Sequence, residues 1–423
     1  MTPQRISLVA AVFLALLGAF YAGMWTAFKE WAPWQTVTTA RAIWQSYRAT
    51  GRILRENTYN HRDRAWPKEP YTVFDAAAVA PGYLAINRFH PGDQRFVSEL
   101  LDGSGKVVHR WPIDYSQIVA GGSSTEFVHA AKPLPDGSLL VDFDDGHAVA
   151  RLDACGRPIW TRTDKTYHHL IERDGDGFWI WQATGWDGSQ DQNMIRIDNE
   201  TGDITDKISL VDDVLAKDPV AAMRLTIPPG FVFDKDAPPD TLKDIFHPND
   251  VEILPADMAA AFPQFSAGDI LVSLRNLDTI AVFSRTTHKL LWSQQGPWLM
   301  QHDPDFQPDG TITVYSNNPD RNRSTLFQVD PATGATSYVL GPDSPAYFSW
   351  IMGTHQRLPN GNWLISVPKQ GRVLEISAAG APVREYDNIL DARYNSFLTH
   401  AELLPLDFFT ELPHCDTSGP EGN

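Results

Sequence analysis

Cysteine is nearly absent from these 423 residues, with only Cys155 and Cys415 present. Two cysteines exclude a thiolate zinc site and a dithiol redox motif, and they leave room for a single disulfide. In an exported chain that bridge would tie the C-terminal tail to an outer turn near residue 155, although sequence alone carries no distance between them. Basic residues are also few, 35 Lys and Arg against 52 Asp and Glu, and the net charge of -17 excludes an extended nucleic-acid surface. No glycine-rich phosphate cradle occurs, so a nucleotide has no evident seat. Neither a His-x-x-x-His helix nor a local carboxylate cluster marks a metal, and no metal or cofactor is expected.

Long hydrophobic runs are lacking apart from one. Ile6 to Phe28 is a run of 23 residues without a charge, between Arg5 and Lys29. That exceeds the roughly 20 residues a bilayer-spanning helix requires. It is too long for a signal-peptide core and lacks a small-x-small cleavage site, so residues 1–28 read as an uncleaved anchor. Residues 29–70, with Trp31, Trp34, Trp44 and Tyr47, read as a juxtamembrane stalk in which Ala40 to Arg55 forms a helix. The remaining chain is expected on the exported side, in the periplasm or outside the cell, held to the inner membrane by one pass.

What is abundant is a repeat. Six apolar strands follow a glycine, at Gly82, Gly137, Gly177, Gly268, Gly310 and Gly361, and each is followed by a second alternating strand. A turn and an outer strand then begin near Gly105, Gly156, Gly202, His288, Gly334 and Gly380, at steps of 51, 46, 86, 46 and 46 residues. Several short strands per unit at a period of about 40 to 50 residues indicate a β-propeller. The chain is therefore read as all-β, a six-bladed β-propeller over residues 71–405 with a C-terminal tail at 406–423. The long step holds an insertion at about 210–245, with Ile227-Pro-Pro-Gly and Ala237-Pro-Pro-Asp, read as a loop or lid over one face.

A histidine opens each expected inner strand: His129, His169, His247, His302, His355 and His400. The last lies beyond the sixth unit, while the first unit has none before Gly82. Closure of the ring by a C-terminal strand beside the first blade accounts for both; Tyr71 to Ala76 is the rival inner strand. In an antiparallel blade the start of the first strand and the end of the second share one end, so His247 and Arg275 should be neighbours at a mouth of the channel. Converging imidazoles with a guanidinium suit an anionic group with tetrahedral oxygens. Trp181, Trp298, Phe348 and Trp350 are candidates for an apolar pocket, with blade packing as the plainer role.

The stretch His247-Pro-Asn-Asp, then Gly268-Asp-Ile-Leu-Val-Ser-Leu-Arg275-Asn, Trp292-Ser, Gly296 and Gln301-His302-Asp-Pro, resembles the bacterial arylsulfotransferases. So do Tyr167-His168-His169 and His355-Gln-Arg-Leu-Pro-Asn-Gly-Asn, and the resemblance spans Tyr71 to Pro405. It implies a periplasmic six-bladed propeller that moves a sulfuryl group from a phenolic sulfate ester to a phenol without a nucleotide. By this resemblance His302 is the histidine that becomes sulfated, with His247, Arg275 and His169 as its catalytic partners. His168, His355, Asn249 and Trp298 are then candidate substrate contacts. The anchor and short stalk depart from the secreted members with a longer N-terminal domain. Two other functions stay open at this level: a non-catalytic propeller binding a partner or anionic ligand, and a metal-dependent ester hydrolase.

Overall fold

The computed structural model describes residues 3–29, 31, 36–37, 40, 60–63, 69–143, 147–183, 192–227 and 244–415. The chain divides into two units, Met1–Thr58 and Tyr59–Asn423. The first contains a helix, Pro3–Phe28, whose segment Ser7–Phe28 has a mean hydropathy of 2.1 and buries none of its residues. At 1.5 Å per residue it is long and apolar enough to cross a membrane. The expected stalk helix at Ala40 to Arg55 lies, apart from residue 40, outside the described residues.

The second unit is a six-bladed propeller of antiparallel sheets. The C-terminal strand Leu398–Leu404 pairs with Tyr83–His90 and is the innermost strand of the first blade, so the ring closes as the unpaired histidine suggested. The rival inner strand is overturned. Tyr71–Val73 pairs with Pro382–Asp387 and adds a fifth, outermost strand to the last blade. Tyr71 determines this position: its hydroxyl bonds the Gly103 carbonyl at 3.3 Å and accepts from Arg384 at 3.0 Å. Both chain segments flanking the propeller thereby stitch its first and last blades together.

The turn landmarks of the repeat share one backbone conformation. Gly105, Gly156, Gly202, Gly334 and Gly380 have φ between 73° and 82°, and His288 stands in the same place at 57°. At Gly156 a Cβ would lie 2.1 Å from the Pro112 carbonyl, so this turn admits no side chain. Apolar side chains fill the gaps between neighbouring blades. Trp179 and Trp181 of the third blade, for example, pack with Val251 and Val272 of the fourth.

The insertion enters that same gap. Leu210–Leu215 and Pro219–Arg224 are helical turns whose Leu210, Val214, Leu215 and Ala221 are buried in the cluster. Arg224 donates to the carbonyls of Leu290 and Leu291 at 3.0 and 2.9 Å. The described part of the insertion is therefore an inter-blade wedge rather than a lid, and both Pro-Pro turns fall at 228–243, outside the described residues.

Cys155 and Cys415 are joined in a disulfide, Cα to Cα 5.0 Å, closing a separation of 260 residues. The Thr410 amide also donates to the Pro135 carbonyl at 2.9 Å, so the tail lies along the second blade. Cys155→Ser is expected to lower stability by about 2–4 kcal/mol. Chemical denaturation of the variant and the parent measures this; an unchanged midpoint would mean that packing of the tail suffices.

Candidate active site at the imidazole end of the channel

Four inner strands depart from regular pairing where they begin. Register shifts occur between His168 and Glu172, Pro248 and Asp250, His302 and Pro304, and Leu398 and His400. A bulge bends the strand and re-aims the side chains beside it. His169, His247 and Asp303 take positive φ values of 71°, 42° and 53°. Such values are uncommon outside glycine, and they cluster here on the side chains that meet in the channel.

The imidazoles of His129, His169 and His247 form a row across the second, third and fourth blades, with ring centroids 4.7 and 5.0 Å apart. The Arg275 amide donates to the His247 carbonyl at 3.2 Å, which makes the two neighbours as the antiparallel geometry required. His302 joins them from the fifth blade. Burial first, then the positive charge of Arg275, holds its pKa well below the ordinary histidine value. His169 is lowered likewise by burial and by the surrounding imidazoles, His129 foremost.

Hydrogen bonds fix which ring nitrogens carry protons. Asn317 donates its amide hydrogens to the carbonyls of Ser349 and Met352 at 2.8 and 2.6 Å. Its oxygen must then accept from His302 Nδ1, 2.7 Å away, which leaves the lone pair of a neutral ring on Nε2. Among the described residues that nitrogen accepts only the long 3.2 Å bond from the Met352 amide. Gln192 Oε1 likewise accepts from His168 Nε2 at 3.0 Å. In a neutral ring His168 Nδ1 then accepts a hydrogen bond from His169 Nδ1–H at 2.5 Å, which leaves the lone pair of a neutral His169 on Nε2. Asp244 accepts from His247 Nδ1 at 2.5 Å and from its backbone amide at 2.7 Å.

His302, His247, Arg275 and His169 thus gather in one place with His168 bonded to His169, while Trp298, Asn249 and His355 make their contacts elsewhere. Trp298 is fully buried among Leu271, Val282 and Phe327, and its indole donates to the Asp278 carbonyl at 2.9 Å. It anchors the loop leading to His302. Asn249 donates to the Gln301 carbonyl at 2.8 Å and holds the peptide before His302. Trp181, also buried, donates to the Asp250 carbonyl. His168 stands behind His169.

His355 is displaced for a reason of register. Tyr315 and Ser366 occupy the same place after Gly310 and Gly361, and opposite them stand His302 and Thr354. His355 lies one residue deeper and faces Asp303 and Asp305, with Nδ1 2.9 Å from Asp303 Oδ2. His400 is also turned away from the row: its bulge precedes it, whereas that of His302 follows. Both line a cavity of about 710 Å³ in the other half of the channel, with Glu172, Asp250, Glu252, Asp303, Asp305 and Glu402. Burial, then mutual repulsion, raises the carboxyls of Asp250, Glu252 and Asp305 well above the usual range. Burial pushes Glu402 the same way, but Arg173 and Lys132 outweigh it and hold it at about 2.

Sequence reading missed Asp244, Asn317 and Gln192. Asp244 stands three residues before His247, the one signal that was available.

A family model described as Arylsulfotransferase (ASST) matches residues 130–388. A search of curated proteins finds no match. Among solved structures, a protein of unknown function from Bacteroides caccae is similar at 12% identity over 74% of this chain and 97% of that one, with a TM-score of 0.48. Virginiamycin B lyase from Staphylococcus aureus is similar at 12% identity over 61% and 69%, with a TM-score of 0.37. Hydrazine synthase from Kuenenia stuttgartiensis is similar at 13% identity over 74% and 80%, with a TM-score of 0.40. The family match runs from the second blade to the end of the sixth and takes in every residue of the imidazole row except His129, and this protein belongs to the arylsulfotransferase (ASST) family.

Proposed function

We propose that this protein transfers a sulfuryl group from a phenolic sulfate ester to a phenol through His302, without a nucleotide. The observation that carries the reading is the lone pair of a neutral His302 Nε2, fixed by Asn317, close to Arg275, His247 and His169. Family membership and the propeller fold support an arylsulfotransferase-type function.

In the first displacement His302 Nε2 leaves the Met352 amide and attacks sulfur. The N–S bond forms as the S–O bond to the aryl group breaks, and the phenolate departs with that electron pair. Arg275 and His247 meet the charge on the non-bridging oxygens. The Met352 amide, released by Nε2, is a further donor beside the sulfuryl group. In the second displacement His169 Nε2 takes the proton of the acceptor phenol, whose oxygen attacks sulfur as the N–S pair returns to His302. His169 then passes its proton to the first phenolate or to solvent.

Acceptor-dependent release of p-nitrophenol from p-nitrophenyl sulfate by the purified protein, without nucleotide, tests the reading. Parallel double-reciprocal lines are expected for the two substrates. No release with a broad panel of donors would favour a binding scaffold instead.

Asp244 acts through His247 as a positioning residue. Asp244→Asn is expected to lower kcat at least about tenfold with the donor KM little changed, because the ring loses the acceptor that fixes its tautomer. A rise in KM alone would contradict that role.

The site works on the exported side of the inner membrane in this account, in the periplasm or outside the cell. The apolar helix and the Cys155–Cys415 disulfide support that placement. Protease digestion of intact spheroplasts should remove the propeller; protection of it would reverse the orientation.

A further inference from the structure

The acidic half of the channel has no role in the transfer proposed above, yet it is costly to build. Lys132 and Arg173 both engage Glu402, with nitrogen–oxygen distances of 3.5 and 2.6 Å. Among the described residues no Lys or Arg forms an ion pair with Glu172, Asp250, Glu252, Asp303 or Asp305, although all five line one cavity. Buried carboxylates in such a group demand either shared protons or a cation.

The geometry around His355 points to the cation. Its side chain is fully buried, and Nε2 lies 2.6 Å from the Thr313 hydroxyl, which itself accepts from Gln307 at 2.8 Å, and 3.4 Å from Asp305 Oδ2. With its proton on Nε2, the ring presents the Nδ1 lone pair to the cavity. There Nδ1 stands 2.9 Å from Asp303 Oδ2 without making a hydrogen bond. Two acceptors at that spacing match adjacent ligands of one ion at about 2.0–2.2 Å from each. A ligating histidine commonly donates its other ring nitrogen to a neighbour, and the Thr313 hydroxyl stands within reach of Nε2 for that role.

Two more carboxylates complete the set. Ligand atoms of Asp303, Asp305 and His355 all lie within 4.8 Å of one another. Asp250 lines the same cavity, is 5% exposed, and its Oδ2 has no hydrogen-bond partner. Asp303 is the bulged residue between His302 and Pro304, and Asp305 follows two residues on. We propose that Asp303, Asp305, His355 and Asp250 bind a divalent first-row cation such as Mn²⁺ or Zn²⁺, joining the fourth, fifth and sixth blades beneath the imidazole row. Three carboxylates with one imidazole suit these ions. No helical motif announces the site, because its ligands come from three strands far apart in sequence.

Titration calorimetry of the full-length protein in detergent, stripped with EDTA, tests the site with Mn²⁺, Zn²⁺ and Ca²⁺ in turn. One Mn²⁺ or Zn²⁺ per chain is expected, with a higher melting temperature once bound. The double variant Asp303→Asn, Asp305→Asn should weaken binding by at least about 100-fold. Both changes preserve shape and remove like charges, so the metal-free variant should melt no lower than the metal-free parent. Absence of Mn²⁺ and Zn²⁺ binding to the parent at millimolar concentration would overturn the proposal, as would unchanged affinity in the folded variant. The readout is independent of sulfuryl transfer, so this inference can fail while that function holds.

Discussion

His302→Ala should abolish acceptor-dependent release, lowering kcat by at least about 10³-fold. The expectation follows from what the ring supplies. Without Nε2 the transfer cannot be split into two displacements, and a single direct step would have to seat donor and acceptor together. Arg275 and His247 would remain to stabilise charge, so some residual rate is expected. Donor binding should change little, measured by inhibition with an aryl sulfonate that cannot be transferred. Loss of the ring also leaves Asn317 Oδ1 without its partner, so the variant's melting curve must accompany the kinetics. If kcat stayed within a few-fold of the parent, His302 would not be the nucleophile.

The second large effect is expected at Arg275. It follows the buried strand Ile270–Leu274 and is half-buried. Its charge is the largest influence on His302 after burial. Arg275→Ala should reduce kcat by about 10²- to 10³-fold, the usual loss when one donor to a developing charge is removed. Arg275→Lys should recover only part of this, because an ammonium keeps the charge but loses the planar fork. The side chain is not part of the blade core, so both variants should melt like the parent. Full activity in Arg275→Ala would remove the guanidinium from the account.

The propeller was legible because its repeat is a backbone requirement. A left-handed turn conformation recurs at Gly105, Gly156, Gly202, Gly334 and Gly380, and the spacing of those residues reports the blades. Ring closure was legible from His400, a histidine beyond the last unit with no counterpart in the first. The neighbourhood of His247 and Arg275 followed from antiparallel pairing alone.

What escaped the sequence depends on single-residue shifts of register. Bulges leave no mark in a pattern of alternating residues, so a six-membered ring of histidines was expected where four gather and two face acid. His355 illustrates this: Thr354 stands in the register position of His302, and one step along the strand changes the surroundings from the imidazole row to Asp303 and Asp305. Trp298 could not be told from a pocket aromatic because the Asp278 carbonyl that holds it is twenty residues away. The carboxylates at 172, 250, 252, 303 and 305 are scattered along the chain and become neighbours only when three blades stand side by side.

The central claim is a covalent sulfuryl group on His302. The purified protein would be mixed with p-nitrophenyl sulfate alone, quenched under alkaline conditions, digested, and the peptide containing Gln301-His302-Asp303 examined by mass spectrometry. The account predicts one added sulfuryl group on His302, formed without nucleotide and discharged when a phenol is supplied. An unmodified His302 during active turnover, or a sulfuryl group carried on another residue at the rate of the reaction, would contradict it.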